Sequence, residues 1–445
     1  MLLIALLVLS IVFIVIATAK LKLHPFLALL AAAFGFGICA NMPLKDVVSS
    51  VNTGFGNTVG AIGIVILAGS IIGSFLEQSG GALRLAERAL RITGEKNTPL
   101  AMALVGYVVS IPVFCDSAFV LLSPINKALA RKANVSLAAG AIALSLGLYS
   151  THTMVPPTPG PVGAAGVLNA DLGLVILWGG IVGLFATFAG WTFAVKVAGR
   201  LDLRPEVEEP ADMRKGHDDL PSTAKSLTPI LLPIILILVR SIAELPSNPL
   251  GVGRLTDVIV FLGQPIVSLL IGALFAFLLP KPFDRKLLST DGLVGKAIVS
   301  ASSIIVITGA GGAFGKVLQN SGIADVIGTG FQGHEGIGIL LPLLVAAGLK
   351  TAQGSSTVAM ITTAGLVAPL LPALGLDGEA GKALTVVAIG AGGMLVSHAN
   401  DSYFWVVTQF SGMTLSQGYR LQTLGTLVEG LAAAVVIWFL AMVVV

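Results

Sequence analysis

The chain has 445 residues, 55% of them hydrophobic and only 11% charged, with a mean hydropathy of +0.94 and a formal net charge of +3. A soluble domain carries about 25% charged residues, so most side chains here do not meet water, and the net charge is too small to suggest nucleic-acid binding. The two cysteines, Cys39 and Cys115, lie in separate apolar contexts without metal-ligand spacing, which argues against a disulfide framework or a zinc site.

In lipid, backbone groups are satisfied within helices or a closed barrel. The apolar runs are continuous and near the ~20 residues that cross ~30 Å of hydrocarbon, unlike the alternating strands of a barrel. Residues 1–18 carry no charge, no basic segment precedes them, and Lys20 and Lys22 come after the run. They read as a retained first helix, not a signal peptide. Further apolar segments fall near 25–40, 58–76, 99–130, 136–168, 172–195, 228–243, 257–279, 293–318, 336–372, 382–411 and 422–444. The polar stretch 196–227, with three prolines and no apolar period, reads as a cytoplasmic linker between two halves, 1–195 and 228–445. Arg84, Glu87, Arg88 and Arg91 are spaced as a solvated cytoplasmic helix.

Lys and Arg concentrate at 20–22, 84–96, 127–132, 200–225 and 281–286. One threading places all of these in the cytoplasm, with both termini outside. It needs about ten crossings, and it has segments 99–130 and 336–372 entering and leaving on one side as re-entrant hairpins. An internal repeat fits the same threading. Gly69-Ser-Ile-Ile-Gly73 with Glu77-Gln-Ser-Gly80 matches Gly311-Gly-Ala-Phe-Gly315 with Gln319-Asn-Ser-Gly322 at the same spacing. Later, Ser150-Thr-His152 recurs as Val396-Ser-His398. The predicted fold is an all-α polytopic membrane protein of two inverted repeats, each with a hairpin (99–130, 336–372) and a broken helix (136–168, 382–411). Inverted repeats with discontinuous helices are the architecture of secondary transporters, whose substrate sits near the midplane.

The breaks hold the chemistry. In the first hairpin Pro112 ends a helix, and Ser117 is a candidate N-cap for the next half-helix, whose free amides would attract an anion. Asp116 is an ionisable group in an apolar span. It reads either as the carrier of a coupling proton or as a helix cap or ion-pair partner. In the second hairpin, Lys350 and Gln353 precede Gly354-Ser355-Ser356-Thr357, a helix start signal rich in hydroxyls. Lys350 either neutralises a substrate carboxylate or pairs with Asp116 or Asp401. In the third break, Ser150-Thr151-His152 leads to Pro156, Pro157, Thr158, Pro159 and Pro161, which cannot continue a helix. Such unwound backbone must line a cavity, and His152 titrates near neutral pH. The fourth break, Ser397-His398-Ala399-Asn400-Asp401-Ser402, offers hydrogen-bonding groups suited to hydroxyls, and Asp401 is placed to cap a half-helix beginning near Tyr403. Glu429, in the last apolar run, reads equally as interfacial or functional.

At these motifs the chain resembles the gluconate permease (GntP) family of proton symporters, within the larger ion-transporter superfamily. The resemblance rests on His24-Pro-Phe-Leu-Ala-Leu-Leu, Phe119-Val-Leu-Leu, Pro156-Pro157 with Pro159-Gly160-Pro161, Gly354-Ser355-Ser356-Thr357-Val-Ala, Ser397-His398-Ala-Asn400-Asp401 and Phe404-Trp405, and it covers essentially the whole chain. It implies proton-driven uptake of a sugar acid or a small hydroxy or amino acid across a bacterial inner membrane. The superfamily implies a dimer in which a domain carrying both hairpins slides against a fixed scaffold. Family members are acidic at the position of Asp116. Gluconate-type members often have histidine between the prolines, where this chain has Thr158, so a shorter aldonate is as credible as gluconate.

The expected arrangement puts the substrate carboxylate between the hairpin tips, held by half-helix amides, Ser117, Ser355, Ser356 and Thr357. Thr151, Thr158 and Asn400 would meet its hydroxyls, with Lys350, Gln353, Asp401, His152 and His398 as further contacts. Asp116 is the first choice for the proton and His152 the second. No cofactor and no metal is expected. The rival readings are a sodium-coupled carrier, an anion channel and an intramembrane enzyme.

Overall fold

The structure is a computed structural model that describes residues 2–445 apart from 86–87, 89–96, 134, 205–219, 245–249, 252, 282–283, 324–337 and 399–400. No strand occurs among the described residues. The expected cytoplasmic helix around Glu87 and Arg91, residues 205–219 of the linker 196–227, and Asn400 therefore lie outside the described residues.

Helices α1 (Leu2–Val15), α2 (Pro25–Cys39) and α3 (Leu44–Gln78) open the chain. α2 starts where the His24 ring accepts the Phe26 amide and Pro25 takes the first helical position, where a missing N–H costs nothing. α3 begins at Leu44, well before the expected residue 58. Hydropathy hides its first turns because Lys45, Asp46, Asn52 and Asn57 interrupt the apolar pattern, although Asp46 in the first turn suits the helix dipole.

The first hairpin consists of α4 (Thr98–Val109) and α5 (Cys115–Ala133). The third break separates α6 (Leu137–Met154) from α7 (Pro159–Leu168), and α8 (Leu172–Lys196) closes the first half. The second half begins with α9 (Thr223–Ala243), α10 (Arg254–Leu262), α11 (Pro265–Phe277) and α12 (Leu293–Asn320). Its hairpin is α13 (Leu340–Gln353) and α14 (Ser356–Val367). The fourth break divides α15 (Glu379–Met394) from α16 (Ser402–Phe410), and α17 (Leu424–Val444) ends the chain. The apolar run 257–279 was read as one segment. It is α10 and α11, meeting at 64° where Gly263 ends one helix and Pro265 starts the other.

Among the described residues, Leu172–Arg200, Thr223–Ala243, Arg285–Asn320 and Leu415–Val444 are each long and apolar enough to cross a membrane. Leu44–Ala61 with Gly63–Gln78, bent by 41°, and α10 with α11 are further spans if each bent pair crosses as one. One arm of each hairpin is different, the other arms α5 and α13 having 19 and 14 residues. α4 and α14 have 12 residues each, about 18 Å, well short of ~30 Å of hydrocarbon. Apolar side chains such as Phe185, Leu274, Val299, Val435 and Phe439 are exposed on the outer helices, as a lipid-facing surface requires.

The two halves pack by the same rules. α4 lies on α6 as α13 lies on α15, α5 on α6 as α14 on α15, and α6 on α8 as α15 on α17. The half-helix pairs cross over, α5 against α16 and α14 against α7. The repeated sequence motif has a physical basis here. It forms the ends of α3 and α12, each closed by a serine (Ser79, Ser321) and then a glycine at positive φ (Gly80 at 72°, Gly322 at 76°). Only glycine takes that conformation without penalty.

Small residues set the closest approach in the first half. A Cβ on Gly147 of α6 would stand 2.1 Å from the Ala103 carbonyl oxygen, and one on Gly106 of α4 would stand 2.6 Å from the Leu144 carbonyl oxygen. Each meets backbone, which cannot swing aside. Gly147→Ala should therefore push α4 off α6 and destabilise the protein by about 1–3 kcal/mol, the usual cost of overpacking. Thermal unfolding of the detergent-purified variant checks this, with Gly35→Ala, which meets open space, as the control.

Candidate functional site

The hairpin tips and the helix breaks converge on one polar cavity of about 290 Å³. Its wall includes Phe114, Asp116, Tyr149, His152, residues 354–357 and residues 401–403. Three half-helices begin at this wall: α5 at Cys115, α14 at Ser356 and α16 at Ser402. Each presents amides without intrahelical partners and the positive end of its dipole.

Each N-terminus is built differently. At α14, Gly354 takes a φ of 88° to turn the chain, and Ser355 caps the helix by accepting the Val358 amide at 3.3 Å. At α16, Asp401 is the cap, accepting the Tyr403 amide at 3.0 Å. At α5 the expected cap was Ser117. The structure corrects this: Phe114 stands at the cap, its carbonyl accepting the Ala118 amide at 2.9 Å, and Ser117 lies inside the first turn. Helix formation starts earlier because Cys115 and Asp116 already follow the Pro112 turn with helical backbone.

Asp401 is the hub of the site. Its Oδ2 accepts Lys350 Nζ at 2.6 Å, Ser397 Oγ at 2.5 Å and Tyr149 OH at 3.2 Å. Lys350 is fully buried and also donates to the Gly354 carbonyl at 2.6 Å. Of the two readings of Lys350, the structure holds the ion pair with Asp401, so its charge is neutralised within the protein. Tyr149 OH also meets Ser356 Oγ at 2.6 Å, tying α6 to the tip of the second hairpin.

Asp116 is the contrast. Its Oδ2 meets the weak Cys115 thiol donor at 3.8 Å, Ser402 lies within reach, and its buried Oδ1 has no partner among the described residues. His152 is similar: its ring stacks near Phe114 with centroids 5.9 Å apart, and its buried Nδ1 is unpartnered. Unsatisfied buried polar atoms are uncommon in folded proteins and mark a place where something else binds.

The remaining residues singled out in the sequence divide. Ser355, Ser356 and Thr357 line the cavity with Asp116, His152 and Asp401. Thr151 does not: its hydroxyl donates to the carbonyls of Tyr107 and Gly147, both at 2.9 Å. Thr158 turns its hydroxyl onto the Val155 carbonyl at 2.6 Å and borders a smaller void beside Gly69 and Pro112. His398 Nε2 contacts the Thr351 carbonyl at 3.1 Å, outside the cavity wall. Gln353 is the last residue of α13. Sequence reasoning missed Tyr149 and Tyr403 as wall residues. Tyr149 could have been found, because it lies three residues before His152 and so shares its helix face.

Residues 1–443 match the sequence model described as GntP family permease. The chain belongs to the GntP permease family. A gluconate permease of Pseudomonas aeruginosa is 36% identical over 441 residues, 98% of this chain and 96% of that protein. The D-serine transporter DsdX of Escherichia coli K12 is 36% identical over 434 residues, covering 96% of this chain and 95% of its own. The crystal structure of the Alcanivorax borkumensis YdaH transporter superposes with a TM-score of 0.67 at 16% identity, over 94% of this chain and 98% of that one. The protein is therefore a multi-pass membrane permease and not an enzyme.

The Lys350–Asp401 pair generates an asymmetric expectation for the permease. Asp401→Asn strands a fully buried cation and should cost about 3–5 kcal/mol. Lys350→Met leaves Asp401 with its Ser397, Tyr149 and Tyr403 donors and should cost less, and combining both changes should recover most of the loss. Chemical unfolding of the four proteins in detergent reads this as a double-mutant cycle.

Proposed function

We propose that this permease is a secondary active transporter for a small hydroxylated carboxylate, gluconate or a shorter aldonate, carried together with protons. The observation that carries the reading is the convergence of three half-helix N-termini on a cavity whose half-buried acid, Asp116, has a buried oxygen without a partner among the described residues. Helix N-termini bind anions through free amides and dipoles. The cavity volume suits a small acid and falls at the low end of sites for drug-sized ligands. Gluconate and D-serine, the substrates in the names of two relatives, both combine a carboxylate with a nearby hydroxyl.

Coupling follows from sharing the cavity. A substrate carboxylate and an ionised Asp116 repel, by roughly 4 kcal/mol at ~4 Å for a partly screened site. A proton on Asp116 removes that repulsion, so proton and substrate each favour binding of the other, and linkage makes the effect reciprocal. The carboxylate would lie against the amides of α5 and α14 with Ser355, Ser356 and Thr357, and its hydroxyls against His152 and Ser402. The two repeats, 1–195 and 228–445, would supply one hairpin and one broken helix each. These would move as a unit against the remaining helices of a homodimer in the bacterial inner membrane, with both termini outside.

Uptake of labelled gluconate and of four- and five-carbon aldonates into proteoliposomes, driven by an imposed pH gradient with and without sodium at fixed pH, tests the reading. Accumulation is expected with the pH gradient alone. Asp116→Asn should lose accumulation by at least tenfold while retaining exchange of internal for external substrate. Full gradient-driven accumulation by Asp116→Asn removes the residue from this role, and dependence on sodium alone overturns proton coupling.

A further inference from the structure

A second acid lies behind the site. Glu429 of α17 is fully buried, and neither carboxyl oxygen has a hydrogen-bond partner among the described residues. It belongs to a polar face on an otherwise apolar helix. Gln422, in the π-helical turn Tyr419–Thr423 that leads into α17, and Thr426 and Glu429 within α17 are all fully buried at i, i+4 and i+7. A helix that only anchored the protein in lipid would have no use for such a stripe.

The stripe faces the fourth break. Thr426 Oγ1 accepts the Ser397 amide at 3.1 Å, and Thr423 donates to the Ser397 carbonyl at 2.6 Å. α17 thus holds both backbone groups of the residue that donates to Asp401. A Cβ on Gly430, the neighbour of Glu429, would meet Leu395 at 2.6 Å, so this part of α17 packs directly on the end of α15. Between them Val396 holds a φ of 55°, a left-handed conformation that is strained for a β-branched residue. Strain of this kind persists only where the surrounding structure over-determines it, and it clusters at ligand clamps and switch regions.

α17 packs on α6, α8, α13 and α15. The titratable side chains on those elements are Tyr149 and His152, Lys196, Lys350, and Glu379 and Lys382, and the π-helical turn Tyr419–Thr423, which also packs on α17, adds Tyr419 and Arg420. None bonds to Glu429, and Tyr403 at the start of α16 is near enough to sense its charge. An ionised carboxylate has no donor to meet in this enclosure, whereas the neutral acid is accommodated.

We propose that Glu429 is a second proton-carrying residue of the transport cycle, which exchanges its proton when the break around Ser397 rearranges. This rests on the proton-coupled reading. One proton on Asp116 and one on Glu429 per monoanionic substrate would move one net positive charge inward.

The test measures, in proteoliposomes, gluconate accumulation and the charge moved per substrate from the reversal potential. Wild-type protein is expected to carry two protons per substrate. E429Q should carry one, become insensitive to membrane potential and show a flatter pH profile, and E429D should keep the wild-type ratio. If wild-type accumulation ignores the pH gradient, the proton-coupled reading itself fails. If the wild type is coupled and E429Q keeps its ratio and pH profile, the Glu429 proposal fails alone. Should E429Q lose accumulation, persistence of substrate exchange supports the proposal, and loss of exchange by a variant that elutes as folded protein overturns it.

Discussion

A helix interrupted inside a membrane leaves amides and carbonyls where no water can meet them, and this constraint shapes the whole chain. Asp401 is where it is met most completely. One carboxylate caps α16, balances Lys350, and accepts from Ser397 and Tyr149. Lys350 in turn satisfies the Gly354 carbonyl at the turn of the second hairpin. Two breaks far apart in sequence are thus held by a single ion pair. Such a pair is a weak source of net stability, because desolvating both charges offsets most of their attraction. Its effect is geometric: it fixes where α14 and α16 begin.

Neutralising Lys350 has a consequence for recognition. Attraction for an anion is left to three helix ends, each equivalent to a fraction of a charge. The two halves also differ in kind. The second supplies a fixed charge pair and capped helix starts. The first supplies Asp116 and His152, whose unpartnered atoms leave their interactions open to whatever enters.

Much of this was legible in the residues. Pro112, Gly354 with Ser355, and the prolines from Pro156 to Pro161 mark the breaks because they act on the backbone itself, through a missing N–H, a positive φ or a side-chain cap. Helix starts in polar sequence were less legible. Leu44 opens α3 within a charged and amidated stretch, and only packing makes it helical. The 64° bend between α10 and α11 lies in a run that reads as one apolar segment, and the short Gly263-Gln264-Pro265 interruption marks it. At the site, side-chain types were read correctly as polar, but partner choice was not settled. Lys350 and Asp401 are separated by 51 positions, and nothing local in the sequence says that they meet.

Thr158 shows how geometry narrows what a motif implies. It stands where gluconate-type relatives often have histidine, and a hydroxyl there invites the reading of a substrate contact. Its proton is committed to the Val155 carbonyl, so the side chain stabilises the turn between α6 and α7 and can offer a ligand only an acceptor. Thr151 is committed in the same way to Tyr107 and Gly147. Under the proposed function, hydroxyl recognition would fall to groups on the cavity wall, His152 and Thr357 first among them. Both lie within reach of the half-helix ends that would hold the carboxylate. A short acid, with its hydroxyl close to the charged group, fits that arrangement better than a long one whose far hydroxyls would meet the aromatic wall of Phe114 and Tyr403.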